Sequence, residues 1–392
     1  MAAKESQGER RRTASRQKLR TKNSALCSVG KKIDLQHTIE TGLAALLADS
    51  NWNHRCGDEG IEQWQERLRS ASGGIGIWTS GTTGSPQYVE HSAASLLRGI
   101  QGGVKHCQDV WGLTYAPGSY AFWQVILQAV YNRNPIVDLH QLGPAETLAK
   151  IKHHAVTHLS GTPTFFRRLD GAGPVSMSVQ AVTVGGEPLD TRALAAIHRQ
   201  FPSAKIRNVY ASTQAGVLLT SNSDVFSVPD DRRSDIKVVD GQLFVADHLL
   251  GRGVPVEGSE SERFYPTGDL VEIVAADSEE GSSPLSFRFV GRRSAVIHVG
   301  GTKVSPEVVE AAILDCLPQV QAARVYGVPN SVTGQLVACE VVLASDVKDL
   351  DSASFRRALQ QSLPPAAIPR IVRPVSEIEL TGSAKIRRRA ED

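Results

Sequence analysis

Along the first third of the chain, apolar residues return every three to four positions. Ile39, Leu43, Leu46 and Leu47 share one face of a segment starting near Leu35, and Ile61, Trp64 and Leu68 share one face of another. Both patterns predict amphipathic helices. The rhythm then breaks. Ile75–Trp78 is a short unbroken apolar run that empties into a Gly/Ser/Thr stretch over 79–84, with a helix expected over Ala93–Ile100. From there strand-like and helix-like segments alternate. Strands are expected at Ile136–Leu139, Val156–Ser160, Ala181–Val184 and Ile206–Tyr210, and helices at Pro144–His153 and Arg192–Arg199, with Thr162–Leu169 following the second strand. Such alternation predicts a mostly parallel sheet covered by helices on both sides.

Past Phe226 the period changes to two. Gln242–Ala246, Leu270–Val274 and Ser286–Val290 alternate apolar and polar residues between Gly, Asp and Pro breaks, which is antiparallel β texture. The last hundred residues return to mixed texture, with helices expected at Pro306–Leu317 and Ala353–Leu363 and strands at Ala322–Tyr326 and Leu336–Leu343. The expected fold class is α/β: a large N-terminal domain with a mostly parallel βα sheet plus an antiparallel β segment, then a small α+β C-terminal domain. A boundary near Gly291–Ser294 divides 31–291 from 292–392.

Composition narrows the function classes. The 392 residues are 41% hydrophobic and 21% charged, which suits a globular chain with a core large enough to need no disulfides. A net charge of only +2 argues against a nucleic-acid binder. The five cysteines are odd in number, scattered and without a CxxC pair, a usage that fits a reducing cytoplasm. No run approaches the roughly 18 apolar residues of a membrane span. Basic residues concentrate at the start, where Arg10, Arg11 and Arg12 are followed by Arg16, Lys18, Arg20 and Lys22, and residues 1–30 read as a solvated, disordered tail.

The chemistry begins at Thr79-Ser80-Gly81-Thr82-Thr83-Gly84-Ser85-Pro86. Glycines let a backbone approach a ligand closely, successive N–H groups make an anion nest, and hydroxyls add donors. The stretch is not a Walker loop, because no Gly-Lys-Ser/Thr follows. Four further strings come after it in order: Val182-Thr-Val-Gly-Gly-Glu-Pro-Leu189, Asn208-Val-Tyr-Ala-Ser-Thr-Gln-Ala-Gly216, Tyr265-Pro-Thr-Gly-Asp-Leu270, and the long run from Phe289 to Glu310. The chain closes on Leu380-Thr-Gly-Ser-Ala-Lys-Ile-Arg-Arg-Arg389. Taken singly, each is a turn or a basic tail.

Taken together, and in this order, they resemble the signatures of the adenylate-forming superfamily: acyl-CoA synthetases, adenylation domains of peptide synthetases and luciferases. The resemblance runs from Ile75 to the end. Family members carry a longer segment before the phosphate loop, so part of the usual N-terminal subdomain is expected to be missing or rebuilt here.

The resemblance implies roles. Thr79, Ser80, Gly81, Thr82, Thr83 and Gly84 would cradle the ATP phosphates. Gly185, Gly186, Glu187 and Pro188 would lie against the adenine. In the Asn208, Tyr210, Ala211, Ser212 string, Tyr210 would stack on adenine and Thr213 would donate to the α-phosphate. Asp269 would accept from the ribose hydroxyls and Arg292 would reach the ribose or phosphates. Lys385 would be the catalytic cation, carried by a C-terminal domain that pivots about Arg293–Ser294 and also brings Gly301 to the thiol entry. Phe165, Gly185 and Gly216 would line the acid pocket. Two departures stand out. Gln87 replaces the family's phosphate-loop lysine, and Gln214 replaces its magnesium-binding glutamate, leaving a metal ligand without charge.

The expected activity is that of an ATP- and Mg2+-dependent ligase. It would activate a carboxylic acid, aryl or acyl in preference to an amino acid, as acyl-AMP. It would then pass the acyl group to the thiol of coenzyme A or of a phosphopantetheine arm on an acidic carrier protein. Two rival readings are an adenylating ligase with an amine acceptor and a degenerate nucleotide-binding protein without turnover. Neither the acid nor the acceptor is legible in the residues.

Overall fold

A computed structural model describes residues 35–47, 61–79, 87–256, 263–274, 285–344, 347, 350–380 and 386. The basic tail over 1–30 lies outside these residues, as do 80–86 of the phosphate loop and Lys385.

Helices α1 (Leu35–Leu47) and α2 (Ile61–Arg69) form where the apolar spacing predicts them. They bury Leu43, Leu46 and Leu68 in one core with β1 (Gly74–Trp78) and the Leu96 side of α3 (Ala93–Leu97). Between β1 and α3 the chain forms β2 (Tyr88–Ser92), antiparallel to β1 in register from Gly74↔Ser92 to Trp78↔Tyr88. The described residues that flank the phosphate stretch, Thr79 and Gln87, thus adjoin the two strands of a hairpin. The expected helix over Ala93–Ile100 is correspondingly shorter, with Ser92 as its N-cap.

The central sheet has order β4-β3-β5-β6-β7-β8. Its parallel strands are β3 (Trp111–Leu113), β4 (Ile136–Asp138), β5 (His158–Gly161), β6 (Ala181–Gly185) and β7 (Lys205–Ser212), and β8 (Gly216–Ser221) returns antiparallel to β7. The connecting helices are α4 (Tyr120–Tyr131), α5 (Pro144–His153), α6 (Pro163–Leu169) and α7 (Thr191–Gln200). Periodicity did not reveal α4, because it is buried almost all round, from Tyr120 and Phe122 through Val125, Ile126 and Leu127 to Tyr131. A helix enclosed on every side carries no polar stripe.

Strands β9 (Val225–Ser227), β10 (Ile236–Val239), β11 (Gln242–Ala246), β12 (Phe264–Ile273) and β13 (Ser286–Arg292) make an antiparallel sheet of order β10-β11-β12-β13-β9. It packs Phe226, Leu243, Val245 and Phe287 with Tyr210 and Leu219 of the central sheet. A third sheet, β15-β14-β17-β16 with β18 alongside β17, begins after Arg292. Its strands are β14 (Ile297–Val299), β15 (Thr302–Val304), β16 (Val320–Asn330), β17 (Gly334–Leu343) and β18 (Ile371–Pro374), packed with α8 (Pro306–Cys316) and α9 (Ser352–Leu359). This C-terminal unit has its own core, centred on Val309, Ile313, Val325, Cys339 and Phe355. The architecture is the expected α/β one, a large N-terminal part followed by a small α+β part.

Candidate active site

Parallel strands deliver their carboxyl ends to one edge of the sheet, where ligands of such sheets bind. Here β5 ends at Gly161, β6 at Gly185 and β7 at Ser212. Gly185 is packed so closely that an added Cβ would lie 2.9 Å from the Val209 carbonyl oxygen, and Gly186 holds φ = 85°. Only glycine enters this turn without strain.

The hairpin β1–β2 is locked to the same edge. The Gln87 amide donates to Thr79 Oγ1 and the Thr79 amide to the Gln87 carbonyl, each at 2.9 Å, closing the base of the loop. His91, fully buried, donates from Nε2 to the Thr213 carbonyl at 2.7 Å while Ser95 Oγ lies 2.9 Å from Nδ1. Burial lowers the His91 pKa, and nearby Arg98 lowers it further against the pull of the Thr213 carbonyl. Below that hydrogen bond, the Gly251 amide donates to the Gln214 carbonyl at 2.7 Å, and Arg252 pairs with Glu90 of β2. The phosphate hairpin and the Thr213–Gln214 turn are thus held together by strand-like hydrogen bonds and one histidine. Nothing in the sequence singled out His91, since a lone histidine carries no spacing signal.

Asp269 sits at a bend of β12, buried to 6% exposure. Gly268 before it has φ = 77°. Its two oxygens are separately engaged: Tyr210 donates its hydroxyl to Oδ2 at 2.7 Å, and Arg292 Nε lies 2.8 Å from Oδ1. Burial, then the adjacent Asp269 charge, holds the Tyr210 pKa well above its ordinary value, so the phenol stays a donor. The Tyr210 ring packs on Phe289, centroids 4.3 Å apart and tilted 35°. Three residues of separate sequence strings thereby form one cluster.

Other predicted residues divide between this edge and the fold. Asn208 uses its amide to donate to the Ser223 carbonyl at 2.9 Å, tying β7 to the chain just past β8, and Ser212 Oγ accepts from the Ala215 amide at 3.1 Å within the β7–β8 turn. Gly216, φ = 72°, faces the Tyr120 hydroxyl. Phe165 is buried against Gly161 and Phe166 in the core beneath β5. Pro188 is exposed on the turn. Gly301, φ = 84°, is the exposed tip of the β14–β15 hairpin, beside Gly300, whose amide donates to Thr333 of the same sheet. Arg293 donates to Gln242 Oε1 at 2.7 Å, across from the antiparallel sheet. Ser294 lies in the single turn joining β13 to β14.

The least expected contact belongs to Glu187. Oε2 accepts from the Thr164 amide at 3.1 Å and Oε1 from the Ile386 amide at 3.2 Å. Thr164 is in the first turn of α6, whose unpaired amides and dipole favour an anion. Ile386 is the residue after Lys385 and pairs as an isolated bridge with Leu380. One carboxylate therefore joins the β6 turn, the start of α6 and the closing segment of the chain. Nearby, Arg192 donates to the Val320 and Pro318 carbonyls, and Thr191 to Asp315, fastening α7 to the C-terminal unit.

Magnesium chemistry fits this turn poorly. Gln214 commits its backbone carbonyl to Gly251 and offers only an uncharged side-chain amide, whereas Mg2+ favours carboxylates and phosphates.

The chain belongs to the AMP-binding enzyme family. The family model for the AMP-binding enzyme matches residues 17–257 and that for the AMP-binding enzyme C-terminal domain matches 308–385. Among relatives, 4-hydroxybutyrate–CoA ligase 1 of Metallosphaera sedula is 28% identical over 370 residues, covering 84% of this chain and 64% of the relative. Acetyl-coenzyme A synthetase of Bacillus subtilis is 25% identical over 403 residues, covering 92% of this chain and 68% of the relative. ATP-bound MatB from Rhodopseudomonas palustris shares the fold with a TM-score of 0.62 at 22% identity, over 80% of this chain and 66% of that one. The amide bond synthetase McbA from Marinactinospora thermotolerans does so at 0.60 and 20%, over 80% and 67%. The chain thus spans about two thirds of the length of these proteins. No described helix is long and apolar enough to cross a membrane.

Proposed function

We propose that the protein is an ATP-dependent acid–thiol ligase that forms an acyl-AMP, releases pyrophosphate and passes the acyl group to the thiol of coenzyme A or a phosphopantetheine arm. The observation that carries this reading is the Glu187 bridge between the β6 turn and Ile386. It supports a closed arrangement in which the residue before Ile386, Lys385, serves the nucleotide crevice. The names of the relatives, coenzyme A ligases and synthetases among them, support the thiol as acceptor.

In the first half-reaction a carboxylate oxygen attacks the α-phosphorus of MgATP and the bond to the bridging oxygen of pyrophosphate breaks. Both partners are anionic, so positioning and charge neutralisation supply most of the rate. Lys385 brings the cation, and the hydroxyls of the hairpin loop and Thr213 bring donors. Asp269, held by Tyr210 and Arg292, offers the ribose a fixed acceptor. No general base is required, because the acid is already ionised near neutral pH. In the second half-reaction the thiolate attacks the acyl carbon and AMP leaves. Before that attack, the small domain beyond Arg292 turns about Arg293–Ser294, withdrawing Lys385 and presenting Gly301 to the thiol.

A panel of carboxylic acids assayed for pyrophosphate release, with coenzyme A and with amines as acceptors, tests the reading. The expected result is release that depends on an acid, acyl transfer to the thiol, and loss of about 10²–10³ in rate in Lys385→Ala. Release that is independent of every acid and unchanged in Lys385→Ala would remove the proposal. Transfer to amines alone would replace the acceptor.

A further inference from the structure

At the opposite edge of the central sheet lies a cluster that the nucleotide chemistry does not use. His106 ends a single helical turn over Val104–His106, Asp109 follows it, and His158 opens β5. His106 Nδ1 is 2.9 Å from Asp109 Oδ2 and His158 Nε2 is 3.6 Å from the same oxygen. One ligand atom of each residue falls within 4.8 Å of the other two. The three side chains are only 7–15% exposed. They stand at the amino ends of β3 and β5, about 10 Å along β5 from Gly161, three residues at ~3.3 Å each.

The His158 ring is held on its Nδ1 side by Thr157. Thr157 Oγ1 accepts from the Val110 amide at 2.8 Å and donates to the Val110 carbonyl at 3.3 Å. The same oxygen lies 2.9 Å from His158 Nδ1. On its other side, His158 Nε2 lies 3.6 Å from the buried Asp109 carboxylate, longer than a hydrogen bond. A cation between them, bound through Nε2, would leave the Nδ1 proton to Thr157 Oγ1. Around the cluster, His106 Nε2, Trp111 Nε1 and Asn134 Oδ1 are buried without a protein partner. The Trp111 ring lies 4.9 Å from His158, and Asn134 donates to the His106 carbonyl at 2.8 Å. Buried polar groups left open in one place mark a position for water or a ligand.

We propose that His106, Asp109 and His158 bind one divalent ion of the zinc class, with water completing its shell, which staples the 104–109 turn to the start of β5. Two imidazoles and one carboxylate suit Zn2+ rather than Mg2+ or Ca2+. Bonds of ~2.0–2.2 Å at tetrahedral angles separate ligands by about 3.4 Å, between the two shorter spacings here. The Thr157 hydroxyl fixes the His158 ring from behind, as partners of metal-bound histidines do.

The test uses the full chain without a histidine tag, freed of metal by chelator dialysis and titrated with Zn2+, and with Co2+ as a visible-absorption probe. One equivalent is expected to bind, with ligand-field bands for Co2+ and a raised melting temperature. Thr157→Val should weaken binding about 10- to 100-fold while the protein stays folded. His158→Gln should weaken it further. His153→Ala/His154→Ala, altering an adjacent histidine pair away from the cluster, should leave it unchanged. Absence of one-equivalent binding, or equal affinity in Thr157→Val and His158→Gln as in the parent, overturns the proposal.

Discussion

Glu187→Gln separates the two half-reactions. The carboxylate accepts two backbone hydrogen bonds, at 3.1 Å from Thr164 and 3.2 Å from Ile386. Glutamine keeps one acceptor oxygen and turns an NH2 toward the second amide, so one of the two contacts is lost. The carbonyl is expected to stay with Thr164, because that amide belongs to a rigid helix start while Ile386 ends a long segment. A hydrogen bond to a charged acceptor contributes ~1.5–3 kcal/mol. Glu187 is only partly buried, which favours the lower figure. At ~1.4 kcal/mol per tenfold, the closed arrangement should lose about tenfold in population. Acid-dependent ATP–pyrophosphate exchange should fall by about that factor. Thiol transfer from synthetic acyl-AMP, which does not need Lys385 in the crevice, should stay within about twofold of the parent. If both steps fall together, or exchange is untouched, Glu187 does not hold the closing segment for adenylation, and the reasoning fails.

Three further outcomes follow from the same site. Tyr210→Phe keeps the ring on Phe289 but leaves Asp269 Oδ2 without its donor, so urea denaturation should show a loss of ~1–3 kcal/mol and KM for MgATP should rise. His91 is held neutral by burial, with its pKa below the ordinary 6.5, while the unfolded chain takes up its proton at the ordinary value. Its contribution is therefore complete above about pH 6.5 and shrinks as pH falls toward the lower folded value. Melting curves between pH 5 and 7 should show that acid-side decline, flattened in His91→Gln. If the Gln214 turn faces the ATP phosphates as the resemblance implies, Gln214→Glu supplies a charged ligand there, and the magnesium concentration giving half-maximal pyrophosphate release should drop severalfold. An unchanged magnesium requirement would mean that the turn does not approach the metal.

Much of the architecture was legible because one-sided burial leaves a period. Leu43, Leu46 and Leu68 marked α1 and α2, and the βα alternation marked the parallel sheet. The elements that escaped were those enclosed on every side or too short to show a rhythm, α4 and β3 above all. Hairpin β1–β2 was half seen, because β2 alternates over only five residues.

What the sequence determined by itself was local: the glycines at 185, 186 and 268 that allow backbone turns no other residue enters freely, and the order of strings that gives the family. Tertiary structure decided which side chains meet. Tyr210 and Asp269 are 59 residues apart and Glu187 and Ile386 are 199 apart, so no spacing rule connects them. His91 reaches Thr213 across 122 residues for the same reason. Periodicity reports contacts within an element, where geometry repeats every two or 3.6 residues. Contacts between elements depend on how buried faces close over one another, and that is settled only when the whole chain packs.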